Sequence, residues 1–293
     1  MKPTLPLPEL MSPGHLACQG CGGTLAMRYA LKGLGPDTAF VVPACCWTII
    51  AGPVPRSSLS IPLLHCPFAS AAATAAGLKA GLLARGDSVT QVVAWAGDGG
   101  TIDIGIQALS GAADRDEDIL YVCYDNEAYM NTGIQRSGGT PRHAWTMTTP
   151  GASGSPMTKK DIDAIVQAHK VPYQATATVA YPEDMVRKFQ KAREIKGFRF
   201  IHVLSPCPPG WKYDPKDSVK LSRLAVQTGL FPLYEIERGA FRLNIPVSRR
   251  KPVSEFLKTQ GRFKGLSSED EAALQEQVNA AWAHTETRSK EGK

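Results

Sequence analysis

Two nearly continuous apolar runs do most to limit how this chain can fold. They read TQVVAWAG at 90–97 and DILYVCYDN at 118–126, and each ends in polar or turn-forming residues. A strand with one face in water alternates apolar and polar residues, whereas an unbroken apolar run needs cover on both faces. The two runs therefore predict central strands of a parallel sheet with helices packed on either side.

The remaining sequence alternates in the same way. Further strands are predicted at 38–42, 173–180 and 198–205, and helices at 23–33, 68–85, 103–114, 159–169 and 183–195. Alternating strands and helices predict an α/β fold with a doubly wound parallel sheet. Such sheets bind ligands beyond the carboxyl ends of their strands, so the loops beginning near Asp98, Asn126 and Ser205 are the expected binding side.

The pattern weakens after Cys207. We expect residues 1–213 to form one module and residues 214–293 to form a C-terminal arm, too poor in core residues to fold alone, that wraps the module or a partner chain. Within the arm, 219–260 is expected to be extended with short elements. A terminal helix is predicted over 268–283, with Ser268 as its N-cap and acidic residues in its first turn.

Composition and charge exclude several classes of protein. The net charge is +6 with scattered lysines and arginines, which argues against nucleic-acid binding. The N-terminal stretch MKPTLPLPELMSPG lacks the apolar core of a signal peptide. The run at 68–84 is rich in Ala and Gly and carries Lys79, so it is not expected to insert in a membrane. A cytoplasmic protein is expected, its seven cysteines being reduced thiols or metal ligands.

A glycine–acid loop follows the strand predicted at 90–97. It reads GDGGT at 97–101, and a helix is expected to begin near Ile102. A strand, a glycine turn and a helix N-terminus form a phosphate cradle. Asp98 suits a place beside phosphate if Mg²⁺ bridges the two, and the Asn126 amide with a carbonyl such as that of Ala128 would complete a set of hard oxygen ligands. Taken singly, each motif is equally well explained as a turn or cap.

Longer stretches of the sequence carry a family resemblance. The spacing of GDG to Asn126 resembles the thiamine diphosphate motif, and the string AGDGGTIDIGIQALSGAADRDEDILYVCYDNEAYMNTGIQRSGGTP is similar to the β subunits of 2-oxoacid:ferredoxin oxidoreductases. The resemblance continues through GHLACQGCG, through SPCPPGW at 205–211, and weakly through KPVSEFLKTQGRF at 251–263. It implies a diphosphate-binding module of the thiamine diphosphate type with an extended C-terminal arm.

The resemblance also implies roles for individual residues. Asp98, Asn126 and the Ala128 carbonyl would bind Mg²⁺, Gly97, Gly99, Gly100 and Thr101 would surround the diphosphate, and Asn131 would face the thiazolium ring and the substrate. From the residues alone, Asn131 is only a polar loop residue, for which stabilising the loop is the alternative.

The cysteines offer a second candidate site. Cys18 and Cys21 form a CxxC pair, and with Cys207 and either Cys45 or Cys46 they could supply four thiolates. Four thiolates suit zinc and a [4Fe–4S] cluster equally, so thiol count leaves the metal open. The resemblance implies one [4Fe–4S] cluster on Cys18, Cys21, Cys46 and Cys207.

Three further cysteines are not in that ligand set. Cys123 lies inside a predicted strand and is interpreted as buried filler. Cys45 departs from the family pattern, which has a small residue there, and Cys66 lies in the divergent segment LLHCPF. His65 and His15 are assigned no role.

The resemblance implies a subunit that oxidatively decarboxylates a 2-oxoacid, pyruvate first, with coenzyme A, giving acyl-CoA and CO₂ and passing electrons through the cluster to ferredoxin or a similar acceptor. It also implies an α-type partner subunit bearing the pyrimidine-binding module and its glutamate, and further cluster-bearing subunits, so the isolated chain is predicted to be inactive. Other possible substrates are phenylglyoxylate, oxalate, branched-chain 2-oxoacids and indolepyruvate.

Other functions remain open from sequence. One is a thiamine diphosphate decarboxylase or carboligase with a structural zinc, and another is a non-catalytic electron-transfer or scaffold subunit. A Rossmann dehydrogenase is not favoured, because no GxGxxG follows the first predicted strand.

Overall fold

A computed structural model describes residues 4–291. Its strands are β1 (Thr38–Pro43), β2 (Leu63–Cys66), β3 (Gln91–Gly97), β4 (Leu120–Asp125), β5 (Tyr173–Thr178), β6 (Arg199–Leu204), β7 (Tyr234–Glu237) and β8 (Ala240–Leu243). Its helices are α1 (Gly22–Leu34), α2 (Cys46–Ile50), α3 (Ala71–Ala84), α4 (Ile106–Asp114), α5 (Ile162–Ala168), α6 (Pro182–Glu194), α7 (Pro208–Trp211), α8 (Ser218–Gln227), α9 (Ser254–Leu257) and α10 (Ser268–Glu291).

The eight strands form one sheet in the order β2-β1-β3-β4-β6-β5-β7-β8. The first six run parallel, and β7 and β8 extend the sheet as an antiparallel hairpin beside β5. Every residue of β4 is buried, as are all but the last of β3. The expected α/β fold with a mostly parallel sheet is therefore confirmed.

Helices cover both faces of the sheet. On one face, α1 and α6 pack against Trp95, and a Cβ added to Gly33 would lie 2.6 Å from the Cβ of Phe189. On the other face, α3 and α4 pack against β3, with Ala72 and Ala75 of α3 fully buried. The alanine-rich run is thus a closely packed internal helix, and none of the helices in residues 4–291 has the length and apolar character to cross a membrane.

The five predicted strands are present, but two expectations about helix starts are wrong. The helix expected near Ile102 begins at Ile106, because a π-helical turn over Gly99–Asp103 comes first. The π-helical turn lies very close to Gly105, because a Cβ on that glycine would be 2.1 Å from the Gly100 carbonyl oxygen.

At the C-terminus, Ser267 rather than Ser268 caps the last helix. Its hydroxyl accepts a hydrogen bond of 3.1 Å from the Asp270 N–H, and α10 continues past residue 283 to Glu291. Ser267 and Ser268 are adjacent and equally suited to cap a helix, and only the geometry of the chain selects between them.

The segment expected to be extended over 219–260 is more regular than predicted. It contains most of the ten-residue helix α8 and the β7–β8 hairpin. The apolar side chains Leu224 and Phe256 pack with Trp211 and Leu204, which precede the segment.

Candidate functional site

The candidate site lies where β3 and β4 end side by side. Gly97 at the end of β3 is paired with Tyr124 of β4, so Asp98 and Asn126 leave the sheet at the same edge. A pocket of about 370 Å³ opens there. Its lining contains seven of the predicted site residues: Gly97, Gly99, Gly100, Asn126, Ala128, Asn131 and Cys46. Asp98 and Thr101 are buried beside the pocket and do not line it.

The side chains of Asp98 and Asn126 and the Ala128 carbonyl converge beneath this pocket. One terminal atom of the Asn126 amide lies 3.0 Å from the Ala128 carbonyl oxygen and 3.0 Å from Asp98 Oδ1, and the orientation of the amide decides whether that atom is oxygen or nitrogen. Neighbouring ligands of an octahedral Mg²⁺ with bonds of about 2.1 Å are about 3.0 Å apart. Turned over, the amide would instead donate to both oxygens, which is the arrangement expected without a cation. The predicted set of oxygen donors therefore fits a small divalent cation.

Asp98 is fully buried beneath this cluster. The hydroxyl of Ser137 donates a short hydrogen bond to Asp98 Oδ2. Burial, and then the nearby charge of Asp125, hold the pKa of Asp98 well above its usual value. A divalent cation at the oxygen cluster would supply the positive charge that this buried carboxyl lacks.

Thr101 turns away from the pocket. Its hydroxyl donates a hydrogen bond of 2.8 Å to the Gly97 carbonyl and accepts one of 3.3 Å from the Tyr121 hydroxyl. These bonds stabilise the glycine turn from inside. The prediction that Thr101 lies beside a diphosphate therefore concerns its backbone N–H and not its hydroxyl.

Aromatic side chains form a wall that the sequence analysis missed. The rings of Phe68 and Tyr129 lie 5.7 Å apart and both line the pocket. Tyr129 donates a hydrogen bond of 3.1 Å to Asp103, and a Cβ on Gly99 would lie 2.4 Å from its ring. Gly99 is therefore needed for this close approach, which no local sequence pattern reveals.

Asn131 is exposed at the pocket rim, in the loop that follows β4. Its amide makes no hydrogen bond within the described residues 4–291. The loop is instead held by Thr132 and Gln135, through a hydroxyl–amide bond of 2.6 Å and an amide–carbonyl bond of 2.9 Å. The Asn131 side chain is thus available to a ligand in the pocket.

A buried charged group lies behind the oxygen cluster. Asp125 accepts hydrogen bonds from Lys159 at 2.5 Å and pairs with His202 at 3.0 Å, and His202 also pairs with Asp163 at 2.7 Å. Burial alone would lower the pKa of His202, but Asp163 and Asp125 outweigh it and raise that pKa to about 9. Only Asp125 could have been suspected from sequence, because it precedes Asn126.

The four predicted thiol ligands come from three separate loops. Cys18 and Cys21 precede α1, Cys46 begins α2, and Cys207 precedes α7. Cys46 Sγ lies 4.0 Å from the amide nitrogen of Asn126. Burial raises the pKa of the Cys46 thiol, and the neighbouring thiols of Cys45, Cys207 and Cys21 raise it further.

Cys207 shows the same effect. Burial raises the pKa of its thiol to about 12, the Gly210 N–H opposes this, and the thiols of Cys21 and Cys18 add to it. Cys46 and Cys207 thus each lie near enough to other cysteines of the predicted set for charge on those thiols to raise their pKa. Within residues 4–291, however, no three His, Cys, Asp or Glu side chains are close enough together to hold a metal ion as they stand. The four-cysteine ligand set therefore stays a prediction.

The remaining cysteines have structural surroundings. Cys123 is fully buried in β4, as expected. Cys45 caps α2: its side chain accepts from the Thr48 N–H, and the Thr48 hydroxyl accepts from the Cys45 N–H at 3.1 Å. Cys66 ends the edge strand β2 and does not line the pocket.

Comparisons with known proteins show which family the chain resembles. Residues 46–203 match the family model of the thiamine pyrophosphate enzyme, C-terminal TPP binding domain. The chain is 51% identical over 289 residues to the ketoisovalerate oxidoreductase subunit VorB of Pyrococcus horikoshii, covering 95% of this chain and 93% of that one. It is 49% identical over 279 residues to the pyruvate synthase subunit PorB of Methanothermobacter marburgensis, covering 94% and 97%.

A solved structure shares the fold. The 2-oxoglutarate:ferredoxin oxidoreductase from Magnetococcus marinus, with 2-oxoglutarate, coenzyme A and succinyl-CoA bound, superimposes with a TM-score of 0.59. The match covers 76% of this chain and 81% of that chain at 22% sequence identity. At that identity the likeness concerns architecture alone.

Proposed function

Because the chain belongs to the thiamine pyrophosphate enzymes and, among them, to the β subunits of 2-oxoacid:ferredoxin oxidoreductases, we propose that it carries the diphosphate half of an active site for oxidative decarboxylation of a 2-oxoacid. In this proposal coenzyme A accepts the acyl group, and the electrons leave through a cysteine-held iron–sulfur cluster to ferredoxin or a similar cytoplasmic carrier.

One observation carries the proposal: the convergence of the Asp98 carboxylate, the Asn126 amide and the Ala128 carbonyl just beneath a pocket that Cys46 also lines. The oxygens would hold Mg²⁺, which neutralises a bound diphosphate. The turn after β3 adds backbone N–H groups at a glycine-rich helical start, where anions bind readily. Cys46 lies on the opposite side of the same Asn126 amide.

When bound, thiamine diphosphate would supply the carbon that adds to the substrate carbonyl and the electron sink for loss of CO₂. The residues of this chain would orient that cofactor. Phe68, Tyr129 and Met130 form an apolar wall beside the pocket. Asn131 presents an amide donor at the rim, where a substrate carboxylate or carbonyl oxygen could accept its hydrogen bond.

The proposal includes an α-type partner subunit. Thiamine diphosphate chemistry needs a glutamate against the aminopyrimidine ring, and the pocket lining on this chain contains no glutamate among the described residues. The partner would supply that glutamate, and further subunits would carry the clusters for onward electron transfer.

Two substrate candidates follow from the relatives. Pyruvate was expected first, and ketoisovalerate, a branched-chain 2-oxoacid, is the second, since subunits named for each are almost equally similar to this chain. The apolar wall suits the aliphatic side chain of either acid. Indolepyruvate, phenylglyoxylate and oxalate serve as comparison substrates in the assay.

The test uses the assembled complex, purified without oxygen, with coenzyme A, methyl viologen and this panel of 2-oxoacids. We expect dye reduction with an aliphatic 2-oxoacid, and none by the isolated chain. Asp98→Ala should abolish Mg²⁺-dependent retention of thiamine diphosphate, whereas Asp114→Ala, at an exposed helix end, should leave it unchanged. Coenzyme A-independent release of CO₂, with zinc in place of iron and acid-labile sulfide, would favour the decarboxylase alternative instead.

A further inference from the structure

Glu127 separates the two proposed ligands Asn126 and Ala128, and its backbone is unusual. Its φ is +65°, a left-handed conformation that residues other than glycine rarely adopt. Because of this turn, the Asn126 side chain and the Ala128 carbonyl point to the same place, with the Asn126 amide 3.0 Å from the Ala128 carbonyl oxygen. The geometry of the proposed metal site therefore depends on holding Glu127 in a strained conformation.

Four neighbouring residues hold Glu127, one at each polar group. Its N–H donates to Asp125 Oδ1 at 2.9 Å, and its carbonyl accepts from the Thr140 hydroxyl at 2.7 Å. Its two carboxylate oxygens accept from Lys159 at 2.9 Å and from Arg262 at 2.6 Å. Lys159 comes from the same module, but Arg262 lies 135 residues further along the chain, in the C-terminal segment.

Arg262 also reaches Asn126 by a second route. Its guanidinium lies 3.9 Å from the centre of the Trp211 ring, and the Trp211 indole N–H donates a hydrogen bond of 2.8 Å to the Asn126 carbonyl. The Arg262 Nε donates in turn to Gln260 at 2.9 Å, which fixes the plane of the guanidinium. Arg262 thus supports two adjacent residues of the same loop: Glu127 directly and Asn126 through Trp211.

Stability alone does not explain why Arg262 and Glu127 form a buried ion pair. Arg262 and Glu127 are 3% and 7% exposed, so burying the pair costs desolvation that an apolar pair would avoid. The arginine instead fixes the orientation of two neighbours. The edge of its planar guanidinium group hydrogen-bonds to the Glu127 carboxylate, and the face of that group stacks on the Trp211 indole. Lysine could provide the charge but not both contacts.

We infer that Arg262 is a positioning residue for the Asn126–Ala128 loop, so that the C-terminal segment completes the cation site without touching it. The inference rests on the proposed Mg²⁺ site. Mg²⁺ requires near-ideal octahedral geometry, whereas Ca²⁺ tolerates varied distances and angles. Loss of Arg262 should therefore weaken Mg²⁺ more than Ca²⁺, which a loss of general stability would not do.

The experiment measures thiamine diphosphate binding to the assembled complex by calorimetry, as a function of Mg²⁺ and separately of Ca²⁺. For Arg262→Gln we expect the half-saturating Mg²⁺ concentration to rise by about 10- to 100-fold, the range seen when partners of metal ligands are changed. The Ca²⁺ requirement should rise less. The control is Arg288→Gln, which removes another arginine stacked on an aromatic ring, that of Phe241, in the same C-terminal segment.

The outcomes separate the inference from the proposed function. If the wild-type complex binds thiamine diphosphate without needing a divalent cation, the proposed function is wrong. If wild type needs Mg²⁺ and folded Arg262→Gln has the same Mg²⁺ and Ca²⁺ requirements, the positioning role is wrong. Should Arg262→Gln fail to fold, Arg262→Lys and Glu127→Gln decide: each should lose Mg²⁺ preference over Ca²⁺, and an unchanged preference in both would overturn the inference.

Discussion

The indole N–H of Trp211 donates a 2.8 Å hydrogen bond to the carbonyl oxygen of Asn126. Trp211 ends the short helix α7, which Cys207 caps, and the Asn126 amide lies 4.0 Å from Cys46 Sγ on its other side. The loop after β4 is therefore fixed between two of the predicted thiol ligands. The predicted cation ligands and part of the predicted cysteine set thus share the support of one loop.

Gly99→Ala should destabilise the protein, because its new methyl group would meet the Tyr129 ring at 2.4 Å. Crowding of this kind in a packed region costs about 1–3 kcal/mol. Gly100→Ala is the matched control, since its methyl group would lie 3.7 Å from Phe68, an ordinary contact. Chemical denaturation of the two variants should separate them, and equal stabilities would show that the aromatic wall yields to the methyl group.

His202 should make the stability of the protein depend on pH. Its pKa rises on folding from the usual 6.5 to about 9, because Asp163 and Asp125 favour the charged ring. This stabilisation is fully present below pH 6.5 and is lost as the pH rises through about 9, with an upper limit of about 3 kcal/mol. Denaturation curves between pH 6 and pH 9.5 should show the decline.

The control for that prediction is His169→Gln. Among residues 4–291, the only side chain that hydrogen-bonds to His169 is that of Ser110. This variant should keep the decline, and His202→Gln should lose it. A decline of the same size in His202→Gln would assign the pH dependence to other groups.

Cys46→Ser and Cys45→Ser form a matched pair of adjacent substitutions. If the four predicted thiols hold a [4Fe–4S] cluster, Cys46→Ser should lose iron and acid-labile sulfide. Cys45→Ser should retain both, because serine can accept the Thr48 N–H bond that caps α2. Metal and sulfide analysis of the anaerobic complex measures this, and loss of iron only in Cys45→Ser would exchange the roles of the two residues.

Asn131→Ala should lower turnover without changing stability. The Asn131 side chain is exposed at the pocket rim, while Thr132 and Gln135 stabilise the loop. Loss of one positioned hydrogen bond to a reacting group typically lowers kcat by about 10²–10³. Steady-state kinetics and thermal unfolding should be compared with Thr132→Ala, for which the opposite result, lower stability, is expected.

Sequence reasoning found the parts of the fold that depend on local pattern. The unbroken apolar runs placed β3 and β4 beside each other, and so placed Asp98 and Asn126 at one edge of the sheet. The short edge strand β2 was missed, because four half-exposed residues carry no strong period.

The side chains around the site were missed for a different reason. Ser137 contacts Asp98 across 39 residues, Lys159 contacts Asp125 across 34, and Arg262 contacts Glu127 across 135. No spacing rule relates such pairs, since their contacts exist only once the loops are folded over the sheet. Their residue types are also ordinary at exposed positions, so nothing in the sequence distinguishes them.

The close packing of Gly22 has a consequence for the order of assembly. Its N–H donates to the Pro206 carbonyl at 3.0 Å, and a Cβ there would lie 2.7 Å from the Pro206 backbone. The loop of Cys18 and Cys21 thus packs directly on the chain just after β6, the last parallel strand in the sequence. Cys18 and Cys21 are synthesised long before the segment around Pro206 on which their loop packs. The four predicted thiol ligands can therefore come together only after synthesis has passed residue 207.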